Sequence, residues 1–255
     1  IENDLGKLDA FYNRGMRYLG VTWNNSTDWA TSAKDETGNG DSLSFMGLTD
    51  FGKNVIRRCN KLGIMVDISH SGEQTFWNII ETTKKPIIAS HSSVYNLCPH
   101  FRNLEDDQLM AIKENGGVVF VNFYPGYIDS TYSDKYEKVK AQYKFELDSL
   151  ANLYDPNTDL YWYKENELLV PYLAEIVPNV NAVIDHIEYI AKLIGVDHVG
   201  IGADWDGVEI LPSGIEDITK MPAITQKLLQ RGYSEKDVKK ILGGNFKRIF
   251  REVSG

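Results

Sequence analysis

The sequence predicts an α/β fold built on a parallel sheet, and three observations carry that prediction. From Arg17 onward, short β-rich runs alternate with amphipathic helical patterns, as in chains of βαβ units. Four of the five runs close with polar or reactive groups, the arrangement expected where a site gathers at the carboxyl ends of parallel strands. The 255 residues, 42% hydrophobic and 25% charged, suffice for one large core. Five strands in βα alternation suit either an open doubly wound sheet or part of a (β/α)8 barrel. Neither G-x-G-x-x-G nor G-x-x-x-x-G-K-S/T occurs, which weighs against a nucleotide fold.

The elements follow in order. Leu5, Leu8, Phe11 and Tyr12 recur at helical spacing ahead of a strand over Arg17–Thr22. Thr49 caps a helix whose Phe51, Val55, Ile56 and Cys59 share a face, and Gly63 ends it before a strand over Ile64–Ser69. Ser71-Gly72-Glu73-Gln74 reads as a capping box ahead of Phe76, Ile79 and Ile80. A strand over Pro86–Ser90 follows, then a helix ended by Gly116-Gly117 and a strand over Val118–Phe123. The Tyr-rich, acidic segment 129–178 breaks the rhythm, with one helix expected over Ser133–Leu153 and a Pro-marked stretch after it; it reads as an insertion. A helix over Asn179–Leu193, with Val183, Ile187 and Ile190 on one face, precedes the strand His198–Ala203, and a last helix runs over Ser234–Phe250. Residues 1–255 thus read as a single domain.

The net charge of −9 argues against nucleic acid or anionic membrane as a general partner, since both are bound by clustered Lys and Arg. A polar small molecule fits better. No apolar run approaches the ~20 residues of a transmembrane helix, and the amino-terminal segment lacks the features of a signal peptide. The chain begins at Ile1 rather than Met, so a leader or a longer segment is expected to precede it. Cys59 and Cys98 allow at most one disulfide and no C-x-x-C metal site, and leave the compartment unread.

The chemistry concentrates at the strand ends. These read Val21-Thr22-Trp23-Asn24-Asn25, Asp67-Ile68-Ser69-His70, Ser90-His91-Ser92-Ser93 and Gly202-Ala203-Asp204-Trp205-Asp206-Gly207. A lone strand-end histidine is ordinarily a hydrogen-bonded structural residue. His70 and His91 end consecutive strands, which lie about 5 Å apart when paired, so their rings can converge on one ion, and imidazole with carboxylate suits zinc. Asp204 shares that mouth and could bind metal, accept a proton from a bound water, or do both; Asp206-Gly207 reads as a turn. Arg102, on the loop leaving the strand of His91, could hold a carboxylate or simply face the acidic run Glu105-Asp106-Asp107. Phe123, Tyr124 and Tyr127, with Trp23 and Trp29, could wall a pocket or pack the core. His186, His198 and His100 read as surface or supporting residues.

Taken jointly, Gly15-Met16-Arg17-Tyr18, Asp67-Ile68-Ser69-His70, Ser90-His91-Ser92-Ser93, Arg102-Asn103, Gly202-Ala203-Asp204-Trp205-Asp206-Gly207 and the terminal Leu242-Gly243-Gly244-Asn245-Phe246-Lys247-Arg248-Ile249-Phe250 resemble the membrane (renal) dipeptidase family. The likeness runs over the whole chain except the segment 129–178. It implies a (β/α)8 TIM-type barrel, of which this chain supplies about five of eight strands, and hydrolysis of free dipeptides, with two zinc ions bridged by a glutamate that activate a hydroxide. Some members accept a D-residue at the carboxyl side. Carried over by position, His70 and His91 would hold the second zinc. Asp204 would lie at the first and move the proton of the bridging water, Arg102 would meet the substrate carboxylate, and Tyr127 would line the substrate.

Two departures qualify that expectation. The family's His-x-Asp and bridging Glu would align upstream of Ile1, so an amino-terminal segment or separate subunit is expected to complete the barrel. Trp23 stands where better-known members have a histidine thought to polarise the substrate carbonyl, and an indole has one donor and does not titrate. Asn24 or Asn25 could supply a neutral donor there. The competing expectations are a non-catalytic or altered relative that binds peptides or another amide, and a different metal-dependent hydrolase. A homodimer is one expected assembly.

Overall fold

The computed structural model describes residues 1–255. Its sheet has five parallel strands in sequence order: β1 (Tyr18–Gly20), β2 (Met65–Asp67), β3 (Ile88–Ala89), β4 (Val118–Val121) and β5 (Val199–Ile201). Tyr18 pairs with Met65, Asp67 with Ile88, Ile88 with Val118, and Phe120 with Gly200. The strands are shorter than their apolar runs because each run bends out of the ladder where its polar end begins, releasing Ser69-His70, Ser90-His91 and Asp204 into loops.

Around the sheet lie α1 (Leu5–Asn13), α2 (Ala33–Asn39), α3 (Asp50–Leu62), α4 (Glu73–Thr82) and α5 (Asp106–Asn115). Between β4 and β5 come α6 (Pro125–Ile128), α7 (Tyr132–Gln142), α8 (Lys144–Leu153), α9 (Asp159–Leu173) and α10 (Val180–Ile194). After β5 follow α11 (Met221–Gln230), α12 (Glu235–Lys239) and α13 (Asn245–Ser254). Residue alternation along each strand divides the core. Val66, Ala89, Val119, Val121 and Val199 face the helices in a cluster of 36 buried residues, whereas Met65, Ile88, Val118 and Phe120 face the concave side.

α13 lies across the amino-terminal ends of the strands. Ile249 and Val253 pack against the concave side, Asn245 donates to the carbonyls of Val196 and Val199 at 2.7 and 2.8 Å, and Ser254 donates to the carbonyl of Gly63 at 2.6 Å. The opposite end of the sheet, where the reactive residues stand, stays open. Gly202 belongs to the same packing: a Cβ there would sit 2.1 Å from the carbonyl oxygen of Ser90 and 2.9 Å from Phe120. Gly200 in β5 and Gly202 just after it therefore admit Phe120 and the backbone that follows β3.

Several elements differ from the sequence reading. The helix expected over Ser133–Leu153 is two, broken at Tyr143 (φ −104°, ψ 22°), whose ring stacks on Tyr172 of α9 at 4.0 Å. Pro171 lies inside α9 rather than ending a helix. The last helix is interrupted over Lys240–Gly244, where Gly243 takes φ 156°. The capping box at Ser71 does not form. Gly72 is the cap residue of α4, and the carboxylate of Glu36, from α2, accepts the Gln74 N–H at 2.9 Å. Cys59 and Cys98 are both free thiols.

His186, read as a surface or supporting residue, is 1% exposed. Its Nδ1 accepts the Val94 N–H at 3.0 Å and its Nε2–H donates to the carbonyl of Ile128 at 3.3 Å, so the ring is neutral when folded. Burial lowers its pKa from 6.5 to about 4. A depressed histidine pKa means that the unfolded chain binds the proton first. Stability is therefore full above about pH 6.5 and falls by roughly 1.4 kcal/mol per pH unit down to about pH 4. His70, His91 and His100 are lowered as well, so urea unfolding of the metal-free protein between pH 7 and 5 is expected to show a steeper total slope, which His186→Gln reduces by about one proton's share, roughly 1.4 kcal/mol per pH unit.

Candidate active site

Every strand contributes to one cavity of about 660 Å³ at the carboxyl ends, whose wall includes Trp23, Asn24, Asp67, His70, Ser90, His91, Arg102, Tyr127, Asp204 and Glu209. Two of these residues hold backbones that side chains other than glycine rarely adopt: His70 has φ 68° and Asp204 φ 58°. Such strain persists only where the surroundings enforce it. The His70 carbonyl accepts the Ala33 N–H at 2.8 Å, and the Asp204 carbonyl closes a turn with the Gly207 N–H at 3.0 Å. The turn at Asp206-Gly207 thus begins at Asp204, and Gly207 is needed because a Cβ would meet the Asp204 carboxylate at 2.3 Å.

The two histidines meet, with Nε2 of His70 and Nε2 of His91 2.9 Å apart. Their protonation follows from their other partners. The Ser90 hydroxyl donates to Asp67 Oδ2 at 2.6 Å, so its oxygen must accept from His91, whose Nδ1 lies 2.7 Å away. Asp67 is itself held by the N–H groups of Ser69 and Ser90 at 3.1 and 2.9 Å. Nδ1 of His70 donates to Asn24 Oδ1 at 3.1 Å. Both Nε2 atoms then carry bare lone pairs pointing at each other, an arrangement that repels unless a cation sits against both. Zinc–imidazole bonds of about 2.0–2.1 Å accommodate two nitrogens at that separation, so the pair fits a metal.

Electrostatics agree with that reading. Burial, reinforced by the Arg102 guanidinium, lowers the pKa of His70 from 6.5 to about 3. Burial and Arg102 lower that of His91 too, against the opposing pull of Asp67 and Asp204. Neutral imidazoles are the form a metal requires. No three His, Cys, Asp or Glu side chains of the chain gather closely enough to hold an ion unaided, so an ion placed between the two imidazoles would need its other ligands from further groups. Asp204 stands apart from the pair on the same wall, where its Oδ2 accepts from Asn122 Nδ2 at 3.3 Å.

Arg102 is only 4% exposed and has no carboxylate partner. It donates to the His91 carbonyl at 3.3 Å, its guanidinium carbon lies 5.6 Å from the centre of the Tyr127 ring, and its Nε is buried without any partner. The acidic run at Glu105 does not engage it. His100 braces the arrangement: its ring lies 4.6 Å from that of Tyr127 and its Nδ1 accepts the Arg102 N–H at 3.1 Å. Of the aromatic candidates, Phe123 and Trp29 are core, Tyr127 and Tyr124 line the cavity, and Trp23 projects into it, 65% exposed, with its ring 6.3 Å from His70.

The sequence reading named His70, His91, Asp204, Arg102, Tyr127 and Asn24, all of which line this cavity. It gave no role to Asp67, Ser90 or Glu209. The first two had a signal, since Asp67 and Ser90 lie in the same motifs as the histidines; Glu209 follows a turn and had none. Removing the Ser90 hydroxyl leaves His91 Nδ1 and Asp67 Oδ2 without a partner, while Asp67 Oδ1 keeps its two backbone N–H donors. Ser90→Ala is therefore expected to weaken zinc binding by about 10- to 100-fold, measured by competition with a chromophoric chelator.

Residues 1–255 match the family model described as membrane dipeptidase (peptidase family M19). The chain is similar in structure to the probable dipeptidase PvdM from Pseudomonas aeruginosa (30% identity, TM-score 0.76), covering 99% of this chain and 66% of that one. It also resembles a metallo peptidase from Rhodobacter sphaeroides liganded with a phosphinate mimic of the dipeptide L-Ala-D-Ala (26% identity, TM-score 0.73), covering 98% and 60%. These relatives are (β/α)8 barrels, and the five parallel strands here match that fold. The chain spans 60–70% of the length of these solved structures. With the family model matched from end to end, the chain belongs to the membrane dipeptidase family.

Proposed function

We propose that this protein is a zinc-dependent dipeptidase that hydrolyses the amide bond of free dipeptides, peptidoglycan-derived ones among them. The observation that carries the reading is the pairing, in one cavity, of two imidazole nitrogens with converging bare lone pairs and a buried guanidinium without a carboxylate. An ion beside a carboxylate anchor is what a free dipeptide needs, since its terminal carboxylate lies close to its single amide bond. The Rhodobacter relative, liganded with a dipeptide mimic, supports the same reading.

Zinc, when bound, supplies Lewis acidity toward the amide carbonyl and makes water acidic enough to attack near neutral pH. The chain's own residues do the rest. His70 and His91 hold one ion, with Asn24 and the Ser90–Asp67 pair fixing their rings. Arg102, braced by Tyr127, receives the terminal carboxylate in a charge-assisted contact. Asp204 takes the proton of the attacking water and passes it to the leaving amine. The carboxamide N–H of Asn24 faces the developing negative charge on the carbonyl oxygen; Asn25, exposed and donating to the Ser26 carbonyl at 3.1 Å, lies off the cavity wall. No covalent intermediate is required.

The full-length protein, purified with zinc, is expected to carry two zinc ions per active site and to release free amino acids from dipeptides, with loss of release on chelation and recovery on zinc addition. Metal content of one or zero with tight dipeptide binding and no release would instead favour a peptide-binding relative, the reading that Trp23 at the cavity mouth motivates.

A further inference from the structure

The contact between His70 Nδ1 and Asn24 Oδ1 joins loops that leave two different strands, β2 and β1. It holds only while Asn24 keeps its oxygen toward the ring, because a carboxamide turned over presents Nδ2, which cannot accept from the imidazole. Residues 31–33, leading into α2, tie the two loops together. On the His70 side, the Ala33 N–H donates to the His70 carbonyl at 2.8 Å and the Gly72 N–H to the Thr31 carbonyl at 3.0 Å, which brackets an antiparallel bridge between Ser32 and Ser71. On the Asn24 side, the hydroxyl of the fully buried Ser32 donates to the Asn24 carbonyl at 3.0 Å, and the Ser32 N–H donates to Ser26 Oγ at 3.0 Å.

Asp35, in the first turn of α2, holds the Asn24 side of this link. Its Oδ2 accepts the Ser26 N–H at 2.7 Å and the Ser26 hydroxyl at 2.6 Å, so the Ser26 oxygen is left to accept from Ser32. The Asp35 N–H donates to Ser32 Oγ at 3.1 Å, and the Ser32 proton goes to Asn24. The two bonds from Ser26 hold the Asp35 carboxyl below its ordinary range, so it is ionised at neutral pH. Asp35 is not on the cavity wall, and its bonds reach His70 through Ser26, Ser32 and Asn24 in turn.

We propose that Asp35 is a positioning residue for the metal site: by ordering Ser26 and Ser32 it fixes the backbone of Asn24 and the reach of its carboxamide, which keeps the His70 proton on Nδ1 and the Nε2 lone pair free for the ion. This rests on the zinc-dipeptidase reading above and extends it to the residue that sets the ligand's tautomer.

The test makes two measurements on the full-length protein: zinc affinity by competition with a chromophoric chelator, and the His70 tautomer in the metal-free form from imidazole nitrogen chemical shifts, assigned with His70→Gln. Asp35→Ala is expected to weaken zinc binding by about tenfold, the lower end of what disturbing the hydrogen-bond partner of a metal-bound histidine costs, and to move His70 from the Nδ1–H form to a mixture of tautomers. Asp35→Asn, whose amide oxygen can accept both Ser26 bonds, should restore most of both. In an Asn24→Ala background, Asp35→Ala should change neither further, since the two residues act in series. Should Asp35→Ala fail to fold, Ser26→Ala breaks the same link from its other side and carries the same expectations. Parent-like affinity and tautomer in Asp35→Ala, or an equal loss with and without the Asn24 carboxamide, would overturn the proposal. If the parent binds no zinc, the metal reading fails on its own and the tautomer decides about Asp35. An Nδ1–H form that Asp35→Ala disturbs and Asp35→Asn restores supports the proposal; an undisturbed one overturns it.

Discussion

In the full-length, zinc-supplemented protein, His91→Ala is expected to lower kcat/KM for dipeptides by at least about a thousandfold, and the metal content should fall with it. The magnitude follows from what the ion supplies: several kcal/mol of charge stabilisation at the reacting carbonyl, at 1.36 kcal/mol for each factor of ten. The variant also tests the origin of the 2.9 Å nitrogen–nitrogen contact. If the two lone pairs repel in the metal-free protein, deleting one imidazole relieves the repulsion. Metal-free His91→Ala should then lose less stability in urea than a half-buried histidine with hydrogen-bonded neighbours would otherwise cost, while its zinc-induced stabilisation vanishes. Full zinc content together with retained turnover would remove His91 from the metal site.

The histidine pair was legible in the sequence because it depends on features that strands impose. Consecutive parallel strands place their last residues side by side, and His70 and His91 both follow the motif Ser-His at such ends. What spacing could not decide was the closure of the sheet, since five βα units suit an open sheet or a barrel equally; the family likeness decided it. Other features were set by contacts distant in sequence. Glu36 caps α4 from 38 residues before Gln74, displacing the local Ser71 signal. Tyr143 breaks a helix through a ring stacked on Tyr172, with no glycine or proline to announce it. His186 could have been placed inside, since Val183, Ile187 and Ile190 of the same helix are all buried. The positive φ of His70 and Asp204 lies beyond any propensity argument, because residues with a Cβ are disfavoured there and only the surrounding loops enforce it.

Arg102 offers the second large effect, and here activity and stability should move in opposite directions. Arg102→Met removes the fork that would receive the substrate carboxylate, and kcat/KM for dipeptides is expected to fall by about 100- to 1000-fold, in line with about 3–4 kcal/mol for a desolvated charge pair. Arg102→Lys should recover little, since an ammonium cannot reproduce a planar, two-point contact. The loss should be selective: turnover of a dipeptide amide, which lacks the carboxylate, is expected to change far less. The fold faces a different balance. In the free protein the guanidinium is 4% exposed, its Nε has no partner, and no carboxylate lies against it, so its burial costs free energy that methionine does not incur. Arg102→Met should therefore raise the urea midpoint of the metal-free protein, or at least leave it unchanged, while activity collapses. A variant that lost both in proportion would mark Arg102 as a structural residue, and the carboxylate anchor would have to be sought elsewhere on the cavity wall.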